Sequence, residues 1–224
     1  MNNFVVAIDG PAGAGKSTVA KEASKRLSVV YVDTGAMYRT VALYAIEKGV
    51  EKDNNAIISL LDEIDIDIKY TDGAQSIFLN GRDVSGLIRT NEVSMGASAV
   101  AVIPEVRLKL VELQRNLAKN QSVIMDGRDI GTYVFPNADV KIFLTASPET
   151  RAERRYIELI EKGLDADRET ILKDIKKRDK NDSEREFAPL RQAHDAVLLD
   201  TSDLSLEEAI SAAIEIIDRG VKSV

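Results

Sequence analysis

The sequence predicts an α/β fold: a buried parallel sheet covered by helices and interrupted by a small antiparallel insert. Three observations carry this. Short apolar runs without alternation recur along the chain and lead into turns or helical stretches, as strands buried on both faces do. One segment, Ile64 to Lys69, instead alternates strictly between apolar and charged residues, the period of a half-exposed strand. A charged stretch from about Pro148 to Leu190, broken at Gly163, reads as helical.

In chain order, Phe4 to Asp9 reads as the first strand and is followed by a glycine-rich turn. Ser17 to Leu27 then carries apolar residues at Val19, Ala20, Ala23 and Leu27, a helical spacing. A second apolar run, Val29 to Val32, leads through Asp33-Thr34-Gly35 into a helix over Met37 to Glu47 that Gly49 stops. Two strand-helix units in series imply parallel strands. The alternating strand Ile64 to Lys69 turns at Thr71-Asp72-Gly73 toward Ser76 to Leu79, an antiparallel pair. Val84 to Asn91 reads as irregular, Glu92 to Val102 as a helix, and Pro104 opens another that runs to about Lys119. Ser122 to Met125, Val140 to Ala146 and Val197 to Asp200 restore the buried-strand pattern, and Leu206 to Arg219 reads as the closing helix. The expected domains are a core of residues 1–59 and 103–224 and an insert of residues 60–102.

Composition narrows the function. With 224 residues the chain can bury a substantial core. No apolar run approaches the roughly 20 residues of a membrane span, and no signal peptide is expected. Zero cysteines exclude disulfides and thiolate metal sites. A formal net charge of -7 argues against a broad nucleic-acid surface, and the lack of tryptophan argues against stacking platforms. A cytoplasmic location is expected. Basic residues are concentrated locally: residues 151 to 185 hold 11 Lys and Arg against 10 Asp and Glu, and the rest of the chain 19 against 27.

Gly10 to Ser17 fits GxxxxGK[ST], between an apolar strand and an amphipathic helix, which is the context this phosphate-binding loop requires. Gly10, Pro11, Ala12, Gly13, Ala14, Gly15, Lys16, Ser17 and Thr18 are the candidate donor-site residues. Inward N–H groups cradle phosphates, Lys16 reaches the β and γ positions, and the Ser17 hydroxyl is placed for Mg2+. The loop alone leaves motors, switches, transporters and kinases open. The acidic end of the third buried strand, Asp126-Gly127-Arg128-Asp129, lacks the paired carboxylates of motor ATPases. GTPase and transporter signatures are also missing, so weight shifts to a small-molecule kinase that binds a second anion.

Arginines could hold that anion. Arg39, Arg107 and Arg128 sit near strand ends or helix starts, where open α/β sheets bind ligands. Arg178, Asp182 and Arg185 are spaced i, i+4, i+7, which predicts one helical face. The competing account is an ordinary surface ion pair between Arg178 and Asp182. Arg151, Arg154, Arg155 and Arg168 would stand on a helical lid, as solvated charge or as cover for phosphoryl transfer. His194, the only histidine, lacks partners for nucleophilic or metal chemistry, and Asp165 and Asp167 read as solvated charge. Tyr38 and Tyr44 read as packing residues.

Six ordered stretches, "IDGPAGAGKST", "DTGAMYR", "DVSGLIRT", "DGRDIGTYVFPNADVKIFLTAS", "RDKNDSEREFAPL" and "LDTSDLS", spread from residue 8 to residue 205. Through them the chain closely resembles the bacterial cytidylate kinases of the nucleoside monophosphate kinase group. The resemblance implies a five-stranded parallel sheet flanked by helices, a CMP-binding part with an extra insert, and an ATP lid at about 150–168. It implies transfer of the γ-phosphoryl group of ATP, with Mg2+, to CMP or dCMP. Carried over by position, Thr34, Ser98, Arg107, Arg128, Asp129, Arg178, Asp182 and Arg185 would bind CMP, with Arg39 near its phosphate. Ser98, Arg107 and Asp182 would read cytosine, and Asp129, Arg178 and Arg185 would serve sugar and phosphate. Lys16, Arg128, Arg154 and Arg155 would act in catalysis. Thr34 stands where some relatives have serine, which keeps the hydroxyl and adds a methyl. A monomer with small-molecule substrates and neither nucleic-acid nor membrane partners is expected. The alternatives are a kinase of another small substrate, or an ATPase or switch acting on a protein.

Overall fold

The computed structural model describes residues 3–71 and 74–222. Strands β1 (Val5–Asp9), β2 (Val30–Asp33), β6 (Val123–Gly127), β7 (Val140–Thr145) and β8 (Val197–Asp200) form one five-stranded sheet in the order β2-β6-β1-β7-β8. A second sheet holds β3 (Ile66–Thr71), β4 (Ala74–Leu79) and β5 (Arg82–Asp83) in sequence order. The helices are α1 (Lys16–Leu27), α2 (Thr34–Glu47), α3 (Asn54–Leu60), α4 (Asn91–Val100), α5 (Pro104–Leu117), α6 (Pro148–Glu161), α7 (Arg168–Glu184) and α8 (Leu206–Val221). The chain divides into two compact units, residues 1–29 with 122–224, and residues 30–121.

In the first unit β1 lies between β6 and β7, parallel to both, with Ala7 opposite Met125 on one side and Lys141 on the other. Val6, Ala7, Ile8, Val123, Ile124 and Met125 are almost wholly buried. This is why these strands read as continuous apolar runs: neither face meets water. α1 packs on α8 and α6 on α7. α8 starts with a reciprocal capping box, Ser205 with Glu208, and buries Ala209, Ile210, Ala213 and Ile217 at helical spacing.

In the second unit α2 packs against α4 close enough that a Cβ on Gly96 would stand 3.2 Å from the Ala42 Cβ. The antiparallel hairpin pairs Ile68 with Ile77 and Ile66 with Leu79, burying the apolar half of the alternating pattern. Of the expected turn Thr71-Asp72-Gly73, the last two residues lie outside the described residues.

Several expectations shift. α2 begins at Thr34 rather than Met37, because the Asp33 carboxylate accepts the Ala36 N–H and caps the helix. α3 was not expected; it is seven residues long, too short to show a helical period, and its only start signal is the Asp53 cap. Within the expected irregular stretch, Leu87–Arg89 forms a single 3-10 turn. The charged region is two helices, and Gly163 marks the break with φ 71. α7 stops at Glu184, so Arg185 is not on its helical face: its backbone is extended, at φ -60 and ψ 140.

Two glycines differ in kind. A Cβ on Gly10 would stand 1.9 Å from the Leu144 carbonyl oxygen, a collision between two backbones in the packed sheet. Around Gly163 nothing lies within 4 Å, so only its positive φ matters. Gly163→Ala is therefore expected to cost about 1–2 kcal/mol. Gly10→Ala should cost distinctly more, read as the shift in urea midpoint at unchanged slope.

Candidate active site

In the first unit the loop from Gly10 to Gly15 follows β1, and Lys16 and Ser17 open α1. Lys16 is 5% exposed and donates to the Pro11 carbonyl at 2.8 Å across the loop. Burial, and then the neighbouring Arg128, push its ammonium down to about 7, against the pull of Asp126, Asp9 and Asp182. A polyanion in the loop would restore that charge. The Ser17 hydroxyl donates to Asp126 Oδ2 at 2.8 Å. Two oxygens at that spacing suit adjacent positions of an octahedral Mg2+, about 2.9 Å apart for bonds of 2.0–2.1 Å. The residues present therefore fit the ion, and Asp126 joins Ser17 as a candidate ligand.

The segment after β6 supplies the next groups. Arg128 Nε donates to Asp182 Oδ2 at 2.9 Å, and Arg185 Nη2 lies 3.3 Å from Asp129 Oδ1. Both pairs are largely buried, so each carboxylate holds a guanidinium in place where solvent screens little. Arg185 also donates through Nε to the Ala188 carbonyl, which turns its side chain inward as the helix ends. Asp182 thus accepts from an arginine of the segment after β6. Arg178 is on α7 one turn before Asp182.

Of the four arginines expected on the lid, Arg151 is buried and holds the scaffold. It donates to the Ala146 and Ala12 carbonyls at 2.9 Å each and makes a two-pronged pair with Asp179 on α7. Arg154 donates to the Thr201 carbonyl at 2.6 Å, and its Nη1 lies 4.0 Å from where a Cβ on Gly15 would stand. It therefore borders the phosphate loop. Arg155 pairs with Glu158 on its own helix, and Arg168 pairs with Glu153 and stacks on Tyr156 at 3.7 Å. Thr201, which receives Arg154, was not a candidate.

The second unit holds the remaining candidates. Thr34 is buried at the start of α2, and Arg39, one turn on, donates to the Asp33 carboxylate at 2.8 Å. Arg107 on α5 is 1% exposed, donates to the Ala101 carbonyl at 3.1 Å and lies over the Tyr38 ring. A guanidinium this deeply buried needs acceptors or a π face, and here a backbone carbonyl and the Tyr38 ring serve. Ser98 is half-buried on α4. Tyr44 donates to Glu63 at 2.8 Å, a packing role. Asp167 caps α7, while His194 is exposed on the surface beside Asp195.

Asp9 went unnoticed in the sequence. Buried at the end of β1, its two carboxylate oxygens accept the N–H groups of Ile130 and Gly131 at 2.8 and 2.7 Å. Burial pushes its carboxyl up to about 6, and those two bonds hold it from going higher. An acidic residue closing an apolar strand immediately before a glycine loop was the available signal. The same signal marks Asp126, the acid noted at the end of its strand.

A parallel sheet with a lysine-bearing glycine loop after its central strand and buried arginine-carboxylate pairs beside it defines a P-loop kinase. Residues 6–219 match the family described as Cytidylate kinase, and the chain belongs to that family. A cytidylate kinase of Caldicellulosiruptor bescii is 51% identical over 224 residues, 100% of this chain and 99% of the relative. One of Geobacillus sp. is 52% identical over 221 residues, 98% of this chain and 99% of the relative. Among solved structures, a gluconokinase from Sinorhizobium meliloti 1021 is similar in fold, with TM-score 0.52 and 13% identity, covering 97% of this chain and 94% of that one.

Removing Arg151 would leave Asp179 and two backbone carbonyls without their donor. Arg151→Ala is expected to lower stability by about 3 kcal/mol. The measurement is chemical denaturation, with Arg151→Lys recovering only part, since a lysine cannot reproduce the fork.

Proposed function

We propose that this chain transfers the γ-phosphoryl group of ATP to CMP or dCMP, giving ADP and CDP or dCDP, with Mg2+ held at Ser17 and Asp126. The observation that carries this reading is the junction at the strand ends: Ser17, next to Lys16, donates to Asp126 at 2.8 Å, and Arg128, two residues on, donates to Asp182 at 2.9 Å, so the donor loop and the expected acceptor residues adjoin. Supporting it, all these residues fall in the ordered motifs of the family.

Lys16 would bridge the transferring phosphate, and the loop N–H groups would hold the donor. Arg128 and Arg185 would orient the acceptor phosphate and sugar, together with Asp129, Arg178 and Arg39. No general base is required, because a nucleoside monophosphate already presents an anionic oxygen. Mg2+ would neutralise developing charge on the phosphate oxygens. Arg154, at the rim of the loop, would supply further positive charge, and Arg155 would join it as the 150–168 lid covers the site. Cytosine would be read by Ser98, Arg107 and Asp182. A carboxylate accepts at both oxygens, and Arg128 engages Oδ2 of Asp182, so the carboxylate can also face the cytosine amine. UMP would place a carbonyl there and repel it. Thr34 bears on the choice between CMP and dCMP. Residues 60–102 would serve as the insert of the acceptor part.

We further propose a monomer in the cytoplasm acting on small molecules. Among the described residues no helix is long and apolar enough to cross a membrane. The net charge of -7 disfavours a nucleic-acid partner.

The deciding experiment is an ADP-release assay with CMP, dCMP, UMP, AMP or GMP as acceptor. The highest rates are expected with CMP and dCMP. Fastest turnover with UMP or AMP would overturn the base assignment, and ATP consumption without any acceptor would point to an ATPase. Lys16→Ala is expected to cut kcat by about 100-fold or more while the circular dichroism spectrum persists. Asp182→Ala should raise the CMP KM by about 10-fold or more and the ATP KM far less. Equal small changes in both would remove Asp182 from base recognition.

A further inference from the structure

The segment that carries Arg128 and Asp129 is gripped from below by two buried charges that no motif brings together. At its start, Asp9 accepts the N–H groups of Ile130 and Gly131. At its end, the Lys141 ammonium, also buried, donates to the Pro136 carbonyl at 2.6 Å and pairs with Asp195. Between these points Ile130–Val134 forms a single wide helical turn, in which the Tyr133 and Val134 N–H groups both point to the Asp129 carbonyl. The chain here is thus neither strand nor ordinary helix. Buried Ile130 and Val134 pack it, and these polar anchors fix its backbone at both ends.

Asp9 is also the residue immediately before Gly10, and its partner across the sheet is Gly127. One carboxylate therefore touches the root of the phosphate loop through its own backbone and the root of the Arg128-Asp129 segment through its side chain. Resting on the reading proposed above, we infer that Asp9 is a positioning residue for phosphoryl transfer, holding the acceptor-side segment in register with the phosphate loop. A buried acid serves better here than an amide. Both of its oxygens accept, whereas asparagine would turn an N–H donor toward one of the two backbone donors. Close fit is needed because a misplacement of about 1 Å in a transfer site can cost 100-fold in rate.

Asp9→Asn tests this in the full-length enzyme. Expected is a 10- to 100-fold fall in kcat with CMP, an ATP KM within about 2-fold of the parent, and a near-native circular dichroism spectrum. Because Asp9 acts through the segment that bears Arg128, the effects should not multiply: the Asp9→Asn, Arg128→Ala double variant should be about as slow as Arg128→Ala alone. Gly131→Ala provides an independent variant with Asp9 intact. Its Cβ would stand 3.1 Å from Lys141 Cδ, so the segment or that side chain must shift by a few tenths of an ångström beside the Asp9 anchor, and a smaller fall in kcat with the same unchanged ATP KM is expected. If Asp9→Asn does not fold, Gly131→Ala decides alone. Unchanged kcat, a parallel rise in ATP KM, or fully multiplicative losses would each overturn the inference. Amide exchange separates this from failure of the functional reading. Asp9→Asn should speed exchange at residues 128–134 selectively whether or not CMP is the acceptor, and unchanged exchange there would sink the anchoring role.

Discussion

In the first unit everything follows from burying β1 between two parallel neighbours. A strand covered on both faces and both edges can present polar groups only where it ends, and all three strands, being parallel, end on the same side. The phosphate loop, the Arg128-Asp129 segment and the start of α6 therefore emerge together at one edge of the sheet. The crowding is severe enough that the Gly10 Cα leaves no room for a Cβ against the Leu144 carbonyl. Function at this edge is a consequence of topology: the backbone of parallel strands runs out of partners there, and ligands, caps and buried charges take their place.

Buried charge at that edge would be ruinous if isolated, and the fold resolves it by pairing. Arg151 joins the loop carbonyl of Ala12, the β7 exit at Ala146 and Asp179 of α7 with one guanidinium. Arg128 with Asp182 and Arg185 with Asp129 tie α7 and its C-terminal exit to the segment after β6. Removing one member of such a pair costs more than the pair contributes, because the other is left desolvated. The pairs thus fix orientation more than they add stability, which is what transfer between two anions demands. Lys16 is the exception: its burial works against its charge, and a phosphate would relieve that.

Much of this was legible in the chain. Strands buried on both faces declare themselves as unbroken apolar runs, and the glycine loop announces its place by lying between one such run and a helix. What was less legible has physical causes. α3 is too short to show a period, β5 has two residues, and α2 starts three residues early because a capping carboxylate overrides the glycine at position 35. The spacing of Arg178, Asp182 and Arg185 suggested a single helical face, but spacing says nothing about where a helix ends. Arg185 lies past that end and reaches Asp129 from an extended backbone. Arg151, Arg154, Arg155 and Arg168 looked alike in the sequence, yet one is a buried tie, one borders the loop and two pair along the surface.

The sequence by itself determined the strand-helix alternation, the phosphate loop and its lysine, and the arginine-rich acceptor motifs, because each depends on residues near one another in the chain. Only the tertiary structure decided which carboxylate holds which arginine, that Asp126 stands beside Ser17, and that Asp9 anchors Ile130 and Gly131. These contacts join residues from 28 to 122 positions apart, brought together by the packing of parallel strands and the helices on them. No local pattern records that packing, since the burial of the strands specifies that they pair and not which polar groups their ends bring face to face.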